Sequence, residues 1–297
     1  MMGRNQTDAL AGVAQVAVSR GRLYRSWRRF CRNRAAMAGL LVVGVLVLAA
    51  IFAPLVAPSD PSAQDLMRQD MLPDWDLPFG ADQLGRDILS RVIYGARVAF
   101  EIGTASIGIA VVIGLAIGIT AGYLGGWVDE VLMRTMDVLL AFPYLLLAIA
   151  IVAMIGPGLV NTIIAISVWL IPTYARLCRG VVLTARQSTF VEAARSFGAR
   201  SPAIMWRHLL PSCFTPIFVQ ITLDFARAIL MEAGLSFLGY GVQPPTASWG
   251  SMIAEGRNEL LVAPHIATIP GLVITVAVLS LNLFGDGLRE ALDPRSD

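Results

Sequence analysis

The stretch RGRLYRSWRRFCRNRAAMAGLLVVGVLVLAAIFAPLV, residues 20–56, sets a cluster of arginines directly against a long uncharged run over 35–56. A helix of about 20 apolar residues crosses the hydrocarbon core of a bilayer, so 35–56 reads as a membrane span. Arg20, Arg22, Arg25, Arg28, Arg29, Arg32 and Arg34 lead into it. Arginine excess marks the cytoplasmic side of a span, which places the N-terminus inside. A cleaved signal peptide has a shorter apolar core and a shorter polar lead than this.

Reading outward, the segment 57–97 carries Asp60, Asp65, Asp70, Asp74, Asp76, Asp82 and Asp87 and belongs outside. Five further apolar runs follow at 98–123, 131–155, 159–177, 214–235 and 267–288, the third and fourth spans being separated only by Gly156-Pro157-Gly158. Six spans return the C-terminus to the cytoplasm, together with the loop between spans four and five. That loop holds Arg179, Arg186, Arg195, Arg200 and Arg207 against one acid, Glu192, so a second loop agrees with the same topology.

Composition supports a membrane protein. The chain has 297 residues, of which 56% are hydrophobic and 15% charged, where a soluble domain carries roughly 25% charged residues. Its mean hydropathy is +0.67. A net charge of +2 gives no reason to invoke nucleic acid. All 23 basic residues are arginine. Without a lysine, neither a phosphate-binding P-loop nor a Schiff-base enzyme can be built. Cys31, Cys178 and Cys213 are far apart in sequence with no CxxC spacing, so neither a zinc site nor a redox motif is suggested. The histidines, His208 and His265, read as polar residues near membrane ends rather than metal ligands.

Within the spans, Gly114, Gly118 and Gly122 form a small-xxx-small ridge suited to close helix packing, inside the subunit or at a subunit interface. Pro143, Pro172, Pro216 and Pro270 are expected to kink their helices. Asp224 and Arg227 share one face of span five, as an internal ion pair or as lining of a wet path. Asp137, Glu232 and Asp286 are expected near span ends, where hydration is cheaper. Asp82, Arg86 and Asp87 read as salt-bridging each other or a docking protein, and Tyr240 and Trp249 as interfacial anchors.

The loop RQSTFVEAARSFGARSPAIMWRHLLPS, residues 186–212, has its own structure. Thr189 and Glu192 fit a capping box. Phe190, Ala193, Ala194 and Phe197 recur at helical spacing and give one apolar face. Gly198 ends this helix, Ser201 and Pro202 open a second, and Pro211 marks the return to the membrane. An apolar helix face in the cytosol either docks in a partner's groove or lies on the bilayer surface.

Glu192-Ala193-Ala194, three residues, Gly198, nine residues, then His208-x-Leu210-Pro211 resembles the EAA loop of ABC importer permeases, with His208 where that family has isoleucine. FGADQLGRDILSRVIYGAR (79–97), LSFLGYGVQPPTASWGSM (235–252) and GDGLREALDP (285–294) resemble the "C"-type permeases of the dipeptide/oligopeptide/nickel group. The resemblance implies an all-α polytopic membrane protein with the type I importer permease fold and about six spans. It divides the chain into a cytoplasmic tail (1–34) and a transmembrane permease domain (35–297), with outer loops at 57–97 and 236–266. The loop at 178–211 becomes the coupling loop, with Glu192, Ala193, Ala194, Phe197, Gly198, His208, Leu210 and Pro211 coupling to the ATPase. The implied partners are a second homologous permease, two ABC ATPase subunits that bind the ATP, an extracytoplasmic substrate-binding protein, and lipid. The chain itself then carries no catalytic residue, cofactor or metal, and sits in a bacterial inner membrane with both termini cytoplasmic. The group imports dipeptides, oligopeptides, glutathione, murein peptides or nickel. An ion-coupled secondary transporter would be expected to show inverted repeats and several midplane charges, and an intramembrane enzyme a Cys/His pairing or HExxH motif; neither pattern is seen.

Overall fold

The computed structural model describes residues 28–292. Arg20, Arg22 and Arg25 of the basic tail, Pro294 and both chain ends lie outside the described residues. Helix α1 spans Arg34–Ile51, its first turn capped by the Asn33 side chain, which accepts from the Ala36 amide at 3.1 Å. Helix α2, Ile88–Leu124, begins where the Asp87 carboxylate accepts from the Leu89 and Ser90 amides. It ends at Gly125, whose φ of +69° a side chain would resist. At 37 residues and about 1.5 Å per residue, α2 is far longer than the roughly 30 Å hydrocarbon core. Its first turns, with Ile88, Val92 and Ile93, are therefore available to pack into the preceding loop.

The expected third span is broken. Helix α3, Gly126–Ala141, and helix α4, Tyr144–Ile155, meet at 94°. Phe142 and Pro143 separate them with extended ψ values of 135° and 131°. Proline pushes its predecessor out of the helical region and offers no amide to the turn before it. Among the described residues, five helices are long and apolar enough to cross a membrane, or six if the bent pair is one span.

Helix α5, Leu159–Ala185, leads into the short helix α6, Thr189–Ser196. A long helix α7 then covers Ser201–Phe237, helix α8 covers Trp249–Gly256 and helix α9 covers His265–Leu292. Pro211 does not interrupt α7. A π-helical turn at Met205–Leu209 precedes it, and the Leu210 amide reaches back to the Met205 carbonyl. The wider turn makes room for a ring that clashes with the carbonyl four residues back. Pro172, Pro216 and Pro270 likewise sit inside continuous helices.

The glycine ridge is an internal seam. A Cβ on Gly114 would lie 2.6 Å from Tyr174 Cβ, and one on Gly122 would lie 2.8 Å from Val182 Cγ1. A Cβ on Gly118 would run into the Ala175 carbonyl. Helices α2 and α5 thus touch backbone to backbone. Gly39 plays the same part between α1 and α9, where its Cβ would meet the Ser280 carbonyl at 2.6 Å.

The segment 57–97 is held by charge. Arg86 binds Asp82 and Glu255, each at 2.7 Å, and Arg91 binds the same two acids. Asp87 takes no part in this cluster, because capping α2 and accepting from Ser90 Oγ use its carboxylate. Two side chains depart from expectation. Trp249 is buried, not interfacial: its indole lies against Gly95 and donates to the Val92 carbonyl at 2.9 Å. Glu232 is also buried, accepting from Ser236 Oγ at 2.7 Å instead of meeting water at a span end. Asp137 and Asp286 are exposed.

Gly114→Val and Gly108→Val separate the seam from general glycine effects, since a Cβ on Gly108 meets nothing within 4 Å. Gly114→Val is expected to abolish recovery of monodisperse protein from detergent, or to lower its melting temperature by many degrees. Gly108→Val is expected to cost no more than about 1 kcal/mol. Equal thermal profiles for the two variants would remove the seam from the account.

Candidate functional site: the helix hairpin between α5 and α7

The segment from Gln187 to Pro211 forms a hairpin whose two faces differ. Ser188 is the N-cap residue of α6, and Thr189 is already helical. The expected capping box is absent: the Ser188 hydroxyl donates to the Ala185 carbonyl at the end of α5, and Glu192 is exposed with no side-chain partner among the described residues. The hydroxyl is used to close one helix, so the next begins uncapped. Gly198 ends α6 with φ of +77° and open space where a Cβ would lie. Its requirement for glycine is therefore conformational, and no steric clash is involved.

Inward, Val191, Ile204 and Leu209 are fully buried and join the apolar cluster built from α2, α4, α5 and α7. Ala194 packs against that cluster too, so it turns away from the stripe expected to contain it. Outward, Phe190, Ala193 and Phe197 are exposed, Phe197 to 91%, and Trp206 continues the apolar surface. Leu210 and His208 are half-buried and Pro211 is exposed. His208 lies in the π-helical turn, where its carbonyl accepts from Ser212 Oγ.

Arginines fasten the hairpin to α2. Arg186 Nη1 donates to the Gly122 carbonyl at 3.0 Å, satisfying a helix-end acceptor. The Arg195 guanidinium lies 5.4 Å from the centre of the Tyr123 ring. Tyr123 Oη stands 3.3 Å from Ser201 Oγ. Arg179 forms a bidentate pair with Asp129 of α3 at 2.5 and 2.7 Å. These partners lie 50 or more positions apart in sequence, which is why the loop reading missed them. The buried face left a fainter signal, apolar Val191, Ile204 and Leu209 between the more conspicuous aromatics.

Deeper in α7, Arg227 Nη1 meets Asp224 Oδ1 at 3.0 Å, and Gln220 donates to the same oxygen at 3.0 Å. Asp224 is completely buried, whereas the Arg227 side chain is 55% exposed. The pair is thus internal at its acid and open at its base. Cys178 and Cys213 also meet, with their sulfurs 3.1 Å apart. Separation in sequence had given no sign of this, because the contact depends on α5 and α7 crossing.

A double-mutant cycle tests the ion pair as structure. Arg227→Ala leaves a buried carboxylate with one amide partner, whereas Asp224→Ala and the Asp224→Ala/Arg227→Ala double variant remove that burden. Arg227→Ala is expected to be less stable than the double variant, and the four proteins together give a coupling energy of about 0.5–3 kcal/mol in thermal unfolding. A coupling energy near zero would remove the pair from the stability account.

Residues 114–297 match the family of binding-protein-dependent transport system inner membrane components, and residues 22–73 match the N-terminal TM domain of oligopeptide transport permease C. The chain is 46% identical over 277 residues to the di/tripeptide transport system permease protein DppC of Pseudomonas aeruginosa, covering 91% of each chain. It is 47% identical over 272 residues to the glutathione transport system permease protein GsiD of Escherichia coli, covering 91% of this chain and 89% of that one. The match spans the glycine seam, the hairpin and α7 together, and the chain belongs to the binding-protein-dependent inner-membrane transport components, the permeases of ABC importers.

Proposed function

We propose that this chain is one of two permease subunits of an ATP-driven importer of short peptides, with di- and tripeptides or glutathione as the substrate class. The observation that carries the reading is the two-faced hairpin. Its inner face is locked to α2 and the core, while Phe190, Ala193, Phe197 and Trp206 face outward, exposed among the described residues. That surface suits a groove on an ATPase subunit, with Glu192 and Gly198 setting its charge and its turn. His208, Leu210 and Pro211 would join it to the pathway helix α7. The names of the similar permeases support the peptide substrate. On this reading residues 178–211 and both termini are cytoplasmic, and 57–97 and 236–266 face outward toward an extracytoplasmic binding protein. A homologous second permease supplies the other half of the pathway, which Arg227 would line. ATP is bound and cleaved by two partner ATPase subunits, and this chain holds neither a cofactor nor a metal.

Phe197→Glu tests the docking face. Because Phe197 is exposed, the variant is expected to fold and insert like the wild type. It should nevertheless lose at least tenfold in both ATPase co-purification and uptake of a labelled dipeptide. Gly198→Asn, which tolerates positive φ, should retain more transport than the strained Gly198→Val. Wild-type assembly and uptake in Phe197→Glu would overturn the docking assignment. The topology is checked by single cysteines at Arg4 and Ser296, which an impermeant reagent added to intact cells should leave unlabelled. Labelling of either position would overturn the assigned orientation.

A further inference from the structure

We propose that Cys178 and Cys213 form an oxidation site, a dithiol that closes to a disulfide and staples α5 to α7 at the root of the hairpin. Both side chains are fully buried, and their sulfurs lie 3.1 Å apart. A disulfide of about 2.05 Å needs an approach of only about 1 Å. Among the described residues no strong partner competes for either sulfur: Cys213 contacts the Leu209 carbonyl at 3.6 Å and Cys178 the Leu115 carbonyl at 3.9 Å. Cys178 lies about two turns from the end of α5 at Ala185, and Cys213 follows closely on the π-helical turn at Met205–Leu209. The two residues therefore bracket the whole hairpin.

The oxidant is a small uncharged peroxide, close to water in size and able to reach a buried thiol during local opening. One cysteine sulfur, losing its proton, attacks the peroxide; an S–O bond forms, the O–O bond breaks, and one water leaves. The second sulfur, also losing its proton, then displaces the oxygen of that sulfenic acid as water and forms the S–S bond. Two thiols and one peroxide give one disulfide and two waters. The closed bond holds the base of α5 at a fixed distance from the base of α7, so the hairpin ends cannot separate. Transport stops while the subunits remain assembled. This consequence rests on the proposed function, whereas the covalent pairing does not.

The test uses the full complex in proteoliposomes, titrated with hydrogen peroxide. Free thiols are then alkylated, and the permease is mapped by mass spectrometry. The expected result is a Cys178–Cys213 disulfide, a loss of peptide uptake of at least tenfold, and recovery with dithiothreitol. Cys213→Ala should keep its uptake at the same dose. Exposed Cys31 reports whether oxidant reached the protein. Oxidised Cys31 with two alkylated buried thiols would overturn the site, with no variant required. A disulfide that leaves uptake intact, or equal inhibition of Cys213→Ala, would overturn the switch. A reduced complex unable to import peptide would count against the proposed function instead, and the mass map would still decide the pairing.

Discussion

Helix α2 and helix α5 approach so closely that three successive glycines on α2 face the Tyr174, Ala175, Cys178 and Val182 region of α5 with no room for a Cβ. In a bilayer this contact has to be made by shape, because lipid tails are as apolar as leucine side chains and provide no hydrophobic drive for helices to associate. Small residues let two backbones approach, and dispersion accumulates over the full length of contact. The remaining helices are arranged around this pair. Helix α7 packs on it through Ile217, Ala228 and Met231, while α9 packs along α7 and makes the close contact with α1 at Gly39. The exposed face of α1, with Leu41, Val45, Leu48 and Ile51, is the surface suited to lipid.

Because α2 exceeds the membrane thickness, it carries different chemistry at its two ends. At its start, Arg91 joins Arg86, Asp82 and Glu255 in a buried cluster of two cations and two anions. Burial of charge costs several kcal/mol per ion unless it is paired; here each guanidinium meets both carboxylates, with Arg91 Nε left without a partner among the described residues. The cluster fixes α8 against α2, with Trp249 bonded to the Val92 carbonyl beneath it. At the other end, the last carbonyls of α2 lack helical partners, and Arg186 donates to two of them, Gly122 and Tyr123. A single rigid helix thus connects the ion cluster to the hairpin.

The sequence made the spans legible because bilayer thickness imposes a length that composition alone reveals, and the glycine ridge because its spacing of four matches the helix. The end of α6 at Gly198 was legible, its positive φ leaving glycine as the natural residue, whereas the expected second short helix is the start of the continuous α7. Three things were not legible. The third span showed a kink at Pro143 but not its size, a 94° break, since Pro143 lies in an apolar run that hydropathy cannot divide. The ion cluster hid Glu255, because its partners come from a segment 164 or more positions away. The faces of α6 were only half read: Phe190 and Phe197 drew attention to the exposed side, whereas Val191 is what anchors the helix. For the ion cluster and for α6 the missing information was which helices cross, and no local pattern encodes that.

The hairpin's two faces also restrict how it can respond to a load. Its inner face is held by apolar burial at Val191, Ile204 and Leu209 and by arginines at Gly122 and Tyr123. A push on the exposed aromatics therefore cannot slide α6 across the surface without breaking several contacts at once. The compliant element is the π-helical turn at Met205–Leu209, where the backbone already departs from α-helical bonding and Pro211 supplies no amide. Such turns cost stability that a regular helix would keep, and they persist where the surrounding packing holds them. On the proposed function, a displacement of α6 would be passed to α7 as a change at that turn, and to α2 as a movement of the whole helix. The buried Asp224, carrying the half-exposed Arg227, lies further along the same α7. The hairpin and the ion pair are thus mechanically continuous, which a loop merely resting on a bilayer surface would have no need to be.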